Sequence, residues 1–232
     1  KKEAISRGVD AAKISIVTNA VDRKIVDEKK LSPLYPSVVE QLEKNQHSCT
    51  VGYIGSLREM EGVDLTAQAV AQLVNKGVDV QLFVLTGVSG QDELRQLCAK
   101  LGIETHSTIV GPVPHQEVAA FYSLIDVFVV SRPDSRVTQL VTPLKPFEAM
   151  AMGRTVVASR LAALEEIVQH GKTGLLYTPD HLGELADTIE QCVVQPEMRE
   201  RLGNAAQQWV LENRTWDVVV QETREVYSKA QE

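Results

Sequence analysis

Positive charge is scarce in this 232-residue chain: 24 Lys+Arg stand against 31 Asp+Glu, for a net charge of −7 and a sequence pI near 5.4. With no basic run there is no surface to neutralise a phosphate backbone, so a nucleic-acid partner is not expected. Long apolar runs are missing as well. The longest, Ile125 to Val130, is broken by Asp126 and falls well short of the ~18 residues of a membrane-spanning helix, so the chain reads as soluble. Cysteines are few and odd in number (Cys49, Cys98, Cys192), without CxxC spacing, which excludes a disulfide framework and suits thiols in a reducing compartment. The histidines (His47, His106, His115, His170, His181) form no i, i+4 pair and have no cysteine at ligand spacing, so no metal is expected.

Several motifs are also missing. There is no GxGxxG followed by an acidic residue, no GxxxxGK[ST] and no GxSxG elbow, so dinucleotide, P-loop and serine-hydrolase readings lose their main support. The opening stretch, Lys1 to Lys13, has neither an apolar leader core nor an initiating Met, and reads as the start of a fragment. Trp209 and Trp216 lie seven apart in a helical pattern, a spacing that suits packing better than a stacking platform.

What is present is a folded α/β pattern. Hydrophobic residues make up 44% of the chain, enough to exclude disorder, and the length suits one large domain over residues 1–232. Strand signals fall at Lys13 to Val17, Thr50 to Gly55, Val80 to Leu85, Ser107 to Val110, Val127 to Val130, Thr155 to Ser159 and Gly174 to Tyr177. Helix signals fall at Val63 to Asn75, Asp92 to Lys100, Gln116 to Leu124, Phe147 to Met152 and Leu164 to His170. Residues 1–12 read as a residual linker or helix, Asp22 to Ser37 as a connection containing Pro33 and Pro36, and 181–232 as a helical tail broken near Pro196 and Arg214-Thr215. Strands alternating with helices require right-handed crossovers, hence a Rossmann-like, doubly wound, mainly parallel sheet with ligands at the carboxyl ends of its strands.

Three strand-to-helix loops there carry chemistry: Gly55 to Gly62, Thr86 to Gly90, and Val141 to Glu148. In the third, Pro146 suits the first position of a helix, which places Lys145 just ahead of a positive helix end. A cation there is favourable when an anion shares the site, and Glu148 can accept two hydrogen bonds from a vicinal diol such as a ribose. A phosphate beside a diol points to a nucleotide. Spacing alone favours the plainer arrangement, a solvent-facing Lys145 and a Glu148 that merely suits a helix start. Gly55-Ser56 permits close approach of a phosphate, or simply a tight turn.

Together these stretches resemble the carboxyl-terminal, nucleotide-sugar-binding half of the GT-B-fold retaining glycosyltransferases of the family 4, or group 1, type. The likeness runs over nearly the whole chain: Ile16 to Asp22 is similar to the family's entry segment, Tyr53 to Leu65 to its first strand, loop and helix, and Val110-Gly111 with Ile125 to Val129 to its paired strands. Phe147 to Ser159 is close to its Leu-Glu-Ala-Met-Ala-x-Gly-x-Pro-Val-Val-Ala signature, and Glu166 to Leu176 follows as expected.

The resemblance implies that Glu148 and Lys145 act at the reaction centre, Glu148 on the ribose. It assigns Thr142, Pro143, Leu144 and Lys145 to the sugar and diphosphate, Gly55 and Ser56 to the diphosphate, and main-chain atoms of Val110 and Gly111 to the base. This sequence departs from the family at three places. Leu140, with Gln139 beside it, stands where a Glu is usual eight residues before Glu148, and Ser56 and Glu61 stand where the family carries two cations. Lys145, then Arg58, Arg132 and Arg136, are the candidates to replace that charge. A branch of the family that combines Glu-Gly with Thr-Pro-Leu-Lys-Pro supports replacement.

The implied activity is transfer of a sugar, with retention, from a nucleoside diphosphate sugar to a glycan or lipid-linked acceptor, without cofactor or metal. It belongs to polysaccharide or glycoconjugate assembly in the cytoplasm or, for the full-length protein, peripherally at the inner membrane face. The acceptor site would lie in an amino-terminal domain absent from this chain, which alone would bind nucleotide and transfer little. A noncatalytic nucleotide-binding module and one half of a nucleotide-sugar epimerase are the alternatives.

Overall fold

The computed structural model describes residues 1–30, 40, 47 and 49–231. Six short, strongly apolar segments form its centre: β1 (Thr50–Ile54), β2 (Gln81–Leu85), β3 (Ser107–Val110), β4 (Val127–Val130), β5 (Thr155–Ser159) and β6 (Leu175–Tyr177). They pair in the order β3-β2-β1-β4-β5-β6, every neighbour parallel. β1, β2, β4 and β5 are buried along their whole length, as continuous apolar runs in a sheet covered on both faces must be. This is the Rossmann-like, doubly wound order, whose direction reverses between β1 and β4.

The helices are α1 (Lys2–Ser6), α2 (Val63–Asn75), α3 (Gln91–Lys100), α4 (Val118–Tyr122), α5 (Arg136–Leu140), α6 (Lys145–Ala151), α7 (Ala162–Glu165), α8 (Leu182–Val194), α9 (Pro196–Asn213) and α10 (Trp216–Gln231). α2 turns Ala67, Val70 and Leu73 inward and packs against α3 and α8, while α6 packs against α9. The core runs through the sheet, with Phe83, Phe128, Leu82 and Met150 fully enclosed. All three cysteines are free and buried.

Four segments differ from the expectation. Lys13 to Val17 forms no strand: Ile16 and Val17 are 59% and 49% exposed, and the alternation has no neighbouring ladder to complete. The chain is instead tied down at Val21, which bridges Thr215 through Val21 N–H to the Arg214 carbonyl (2.8 Å). Gln116 to Leu124 divides into a 3-10 turn (His115–Glu117) and α4, and the helix expected from Leu164 to His170 is the earlier and shorter α7. α5 rises from the loop after β4, where Ser135 and Thr138 form a reciprocal capping box that starts a helix despite the nearby prolines. In the connection from Asp22 to Ser37, Arg23–Lys30 is 3-10 helix; Pro33, Pro36 and Ser37 lie outside the described residues. The tail breaks where Pro196 and Arg214-Thr215 interrupt its periodicity, as expected.

Candidate functional site

The reversal of strand order brings the loops after β1 and β4 side by side. The first ends in a 3-10 turn (Glu59–Glu61) and Gly62, whose φ of 64° lies in the left-handed region. A side chain there would place its Cβ 1.9 Å from the Ser131 carbonyl oxygen, so only glycine lets the two loops touch. Ser131 Oγ donates to the Gly62 carbonyl (2.6 Å) and seals that contact.

The next residue, Arg132, is held in a buried fork. Its Nε and Nη2 donate to the two Glu61 carboxylate oxygens (3.0 and 2.8 Å), and Nη1 donates to the Val141 carbonyl (3.0 Å). The paired side chains are 6% and 13% exposed. One guanidinium therefore ties the β1 loop to the segment that leads into α6. Tyr53, below the fork, has its phenol pushed far up by burial and next by the Glu61 carboxylate, so it stays protonated and donates to the Ser56 carbonyl (3.2 Å).

α6 carries the second cluster. Leu144 is its N-cap, so Lys145 is the first helical residue and Pro146 the second, one position inside the expected start. Proline is tolerated there because first-turn N–H groups have no intrahelical acceptor. With seven residues the helix has a weak dipole, and the positive charge rests on the Lys145 ammonium itself. Lys145 Nζ donates to Glu148 Oε2 (3.1 Å), and the Tyr122 hydroxyl donates to the same oxygen (2.7 Å). Burial, then the Glu148 carboxylate, raises the Tyr122 phenol well above its ordinary value, so it remains a donor. Among the described residues Glu148 Oε1 receives no hydrogen bond.

Lys145 and Glu148 are 33% and 21% exposed, and each opens onto a cavity. Lys145 lines one of about 170 Å³ with Gly55, Thr86, Gly87, Pro112 and Val113. Glu148 lines one of about 420 Å³ with Tyr122, His115, Lys24, Leu144 and Trp216. Val118 stands on both linings.

The remaining sequence-derived candidates are distributed as follows. The Val110 carbonyl accepts from Thr86 N (3.0 Å), and the Gly111 carbonyl accepts from Gln91 Nε2 (3.0 Å). Neither lines the smaller cavity: Val110 is bonded to Thr86 and Gly111 precedes Pro112, and it is Thr86 and Pro112 that stand on its wall. Ser56 is exposed beside Gly55. Arg58 faces a different recess, about 420 Å³, with Asp64 and Glu93, and does not join Lys145. The Thr142 carbonyl accepts from Asn19 Nδ2 (3.3 Å), Pro143 is buried, and Leu144 is half exposed. Arg136 reaches away to Glu3 (2.6 Å). Leu140 is 54% exposed, whereas Gln139 accepts from Ala162 N (2.9 Å) and so caps α7.

Sequence reasoning did not single out Tyr122, nor the pairing of Arg132 with Glu61, and Thr86 enters it only as the first residue of its loop. Tyr122 sits in an apolar run that reads as core, and only its tip is polar. Trp216, expected to pack, is 48% exposed at the mouth of the larger cavity. Among the described residues no three His, Cys, Asp or Glu side chains stand together as a metal site. Among the described residues, too, no helix is long and apolar enough to cross a membrane.

Comparison with known proteins gives three results. The family model for "Glycosyl transferases group 1" matches residues 36–209. Alpha-D-kanosaminyltransferase of Streptomyces kanamyceticus is 28% identical over 154 residues, covering 66% of this chain and 39% of that protein. D-inositol 3-phosphate glycosyltransferase of Corynebacterium aurimucosum is 31% identical over 166 residues, covering 69% and 38%. The chain thus spans about two fifths of the length of these curated relatives. Among solved structures, Anabaena HepE in complex with UDP-glucose superposes with a TM-score of 0.80 at 23% identity, over 97% of this chain and 60% of that one. This likeness extends the agreement of fold beyond the sheet to nearly the whole chain.

Proposed function

This chain belongs to the group 1 glycosyl transferases, and we propose that it is the donor-binding half of one, holding a nucleoside diphosphate sugar for retaining transfer to a glycan or lipid-linked acceptor. The observation that carries this reading is the Lys145–Glu148–Tyr122 cluster, set between two adjoining cavities beside the reversal of strand order. A cation and a carboxylate with one free oxygen, side by side, match a diphosphate next to a ribose diol.

In this reading Glu148 Oε1 accepts from the ribose hydroxyls while Tyr122 and Lys145 hold Oε2 and fix the carboxylate plane. Lys145 stabilises the charge that grows on the departing diphosphate, an interaction stronger in the transition state than in the bound donor. Ser56 presents its main-chain N–H to the phosphates, Gly55, whose own N–H donates to the Leu85 carbonyl (3.0 Å), lets them approach closely, and Thr142 to Leu144 frame the sugar. Neither metal nor cofactor is required. The acceptor site and the rest of the catalytic apparatus belong to a preceding domain, and the intact enzyme works in the cytoplasm, at the membrane face when its acceptor is a lipid.

One observation favours a second reading, a binding module without transfer: every nitrogen of Arg132 already donates to Glu61 or Val141 and its charge is paired with the Glu61 carboxylate, which leaves Lys145 to meet the diphosphate. An assay of the intact polypeptide with labelled nucleotide sugars separates the two. Transfer with the donor's anomeric configuration kept, read by NMR of the product, is the expected result. Inversion contradicts retention, and nucleotide binding without transfer favours the second reading.

A further inference from the structure

Gln91, the first residue of α3, turns its side chain back over the two loops that follow β2 and β3. Its Nε2 donates to the Gly87 carbonyl (2.9 Å) and to the Gly111 carbonyl (3.0 Å), while its Oε1 accepts from Arg95 Nη1 (2.9 Å). A guanidinium can only donate and a carbonyl can only accept, so one orientation of this amide suits all three neighbours. Arg95 Nη2 also donates to the Ile109 carbonyl (2.7 Å), which anchors the relay in β3. Neither bond from the amide serves the start of α3, since the first turn of a helix lacks acceptors for its N–H groups, not donors for carbonyls.

The roots of the two loops are joined by main chain. Thr86 N–H donates to the Val110 carbonyl (3.0 Å), and a Cβ on Gly111 would lie 2.1 Å from the Thr86 carbonyl oxygen. One residue further out that support stops. A Cβ at Gly87 would meet nothing within 4 Å beyond its chain neighbours, and Val88 is 76% exposed, so packing does not hold the start of this loop. The Gln91 amide holds it, and holds it to the loop after β3.

Between these loops lies the smaller cavity, of about 170 Å³. Gly87 lines it from the β2 side, and Pro112 and Val113, which follow Gly111, from the β3 side. Gln91 and Arg95 line neither cavity, so they reach a ligand only through these walls. Walls fixed in advance spare a ligand the cost of ordering them. Resting on the nucleotide-site reading above, we propose that Gln91, oriented by Arg95, is a positioning residue that sets the spacing of the two loops across the smaller cavity and thereby the affinity for nucleotide.

The test is calorimetric titration of the chain with UDP, GDP and ADP, repeated on Gln91→Met, Arg95→Met and the double variant, beside hydrogen exchange of each without ligand. Gln91→Met keeps a long, helix-compatible side chain and removes both donors to the loops. It should weaken the nucleotide that the wild type prefers by roughly three- to tenfold, and speed exchange in the loops after β2 and β3 while β4 and β5 stay protected. Arg95→Met should lose less. The double variant should bind within about twofold of Gln91→Met, because Arg95 acts through the amide. Unchanged affinity in Gln91→Met would overturn the proposal, and so would losses that simply multiply in the double variant. Faster exchange throughout the sheet would make Gln91 a general structural support and overturn it as well. If the wild type binds no nucleotide, the nucleotide reading and this inference fall together; if it binds and Gln91→Met binds equally, the inference alone falls.

Discussion

Glu61 and Arg132 meet across the line where the sheet reverses its strand order, carboxylate to guanidinium in a two-pronged contact of 2.8 and 3.0 Å, with both side chains nearly enclosed. The family resemblance has a cation at position 61, so the carboxylate there looked like a loss. Set against Arg132 it becomes one half of a brace that also holds the Val141 carbonyl, and through it the approach to Lys145. The charge has been redistributed into the scaffold.

Removing one partner of such a pair leaves the other buried and uncompensated, which typically costs about 3–5 kcal/mol. Glu61→Ala should therefore lower unfolding free energy in urea by that order. The double variant Glu61→Leu/Arg132→Met should cost less than Glu61→Ala alone. A loss for Glu61→Ala within about 1 kcal/mol would mean the brace is dispensable.

Gly62 and Gly77 separate strain from collision. Both have left-handed φ, 64° and 79°, but a Cβ at Gly62 would lie 1.9 Å from the Ser131 carbonyl oxygen, while one at Gly77 meets nothing within 4 Å. Gly77→Ala should cost about 1–2 kcal/mol, the backbone penalty alone. Gly62→Ala should cost clearly more, because the two loops must part. Equal losses in chemical denaturation would contradict the close approach at the strand reversal.

The thiols should be inert in the folded chain. Burial pushes both Cys49 and Cys192 up to about 12, and raises Cys98 as well. At pH 8 a thiol of that acidity is ionised in only about one molecule in ten thousand, and the thiolate is the nucleophile. Ellman's reagent should label the native chain slowly and all three thiols after unfolding in guanidinium. The sign of the linkage follows: these groups keep their protons longer in the folded state. The stability they contribute is intact below the ordinary value of 9.0 and is lost as pH rises from there toward 12.

How far the sequence reveals this molecule depends on the range of the interactions. Val127–Val130 and Thr155–Ser159 are legible to the residue, because a strand buried on both faces is a mostly apolar run between turn signals, and Ser107–Val110, at the sheet edge and only half buried, is marked by its β-branched residues. Val63–Asn75 is equally legible from its period and its closing Lys76-Gly77. Lys13 to Val17 misleads because alternation describes a side-chain pattern, while a strand also needs a partner for its backbone. α5 is hidden because its start is a side-chain capping box rather than an apolar stripe. At the site, Lys145 and Glu148 are three apart on one short helix, so their pairing is local and readable. Arg132 meets Glu61 from 71 positions away and Tyr122 meets Glu148 from 26, and such partners appear only once the sheet has ordered its loops.

The central claim is that the carboxylate and ammonium of Glu148 and Lys145 grip the ribose and diphosphate of one nucleotide. Isothermal titration of this chain with UDP, GDP and ADP, repeated on Glu148→Gln and Lys145→Met, tests it most directly. Charge-assisted hydrogen bonds contribute about 1.5–3 kcal/mol each, so each variant should weaken the preferred nucleotide by about tenfold to a hundredfold. Binding by the wild type that survives both substitutions unchanged would contradict the account.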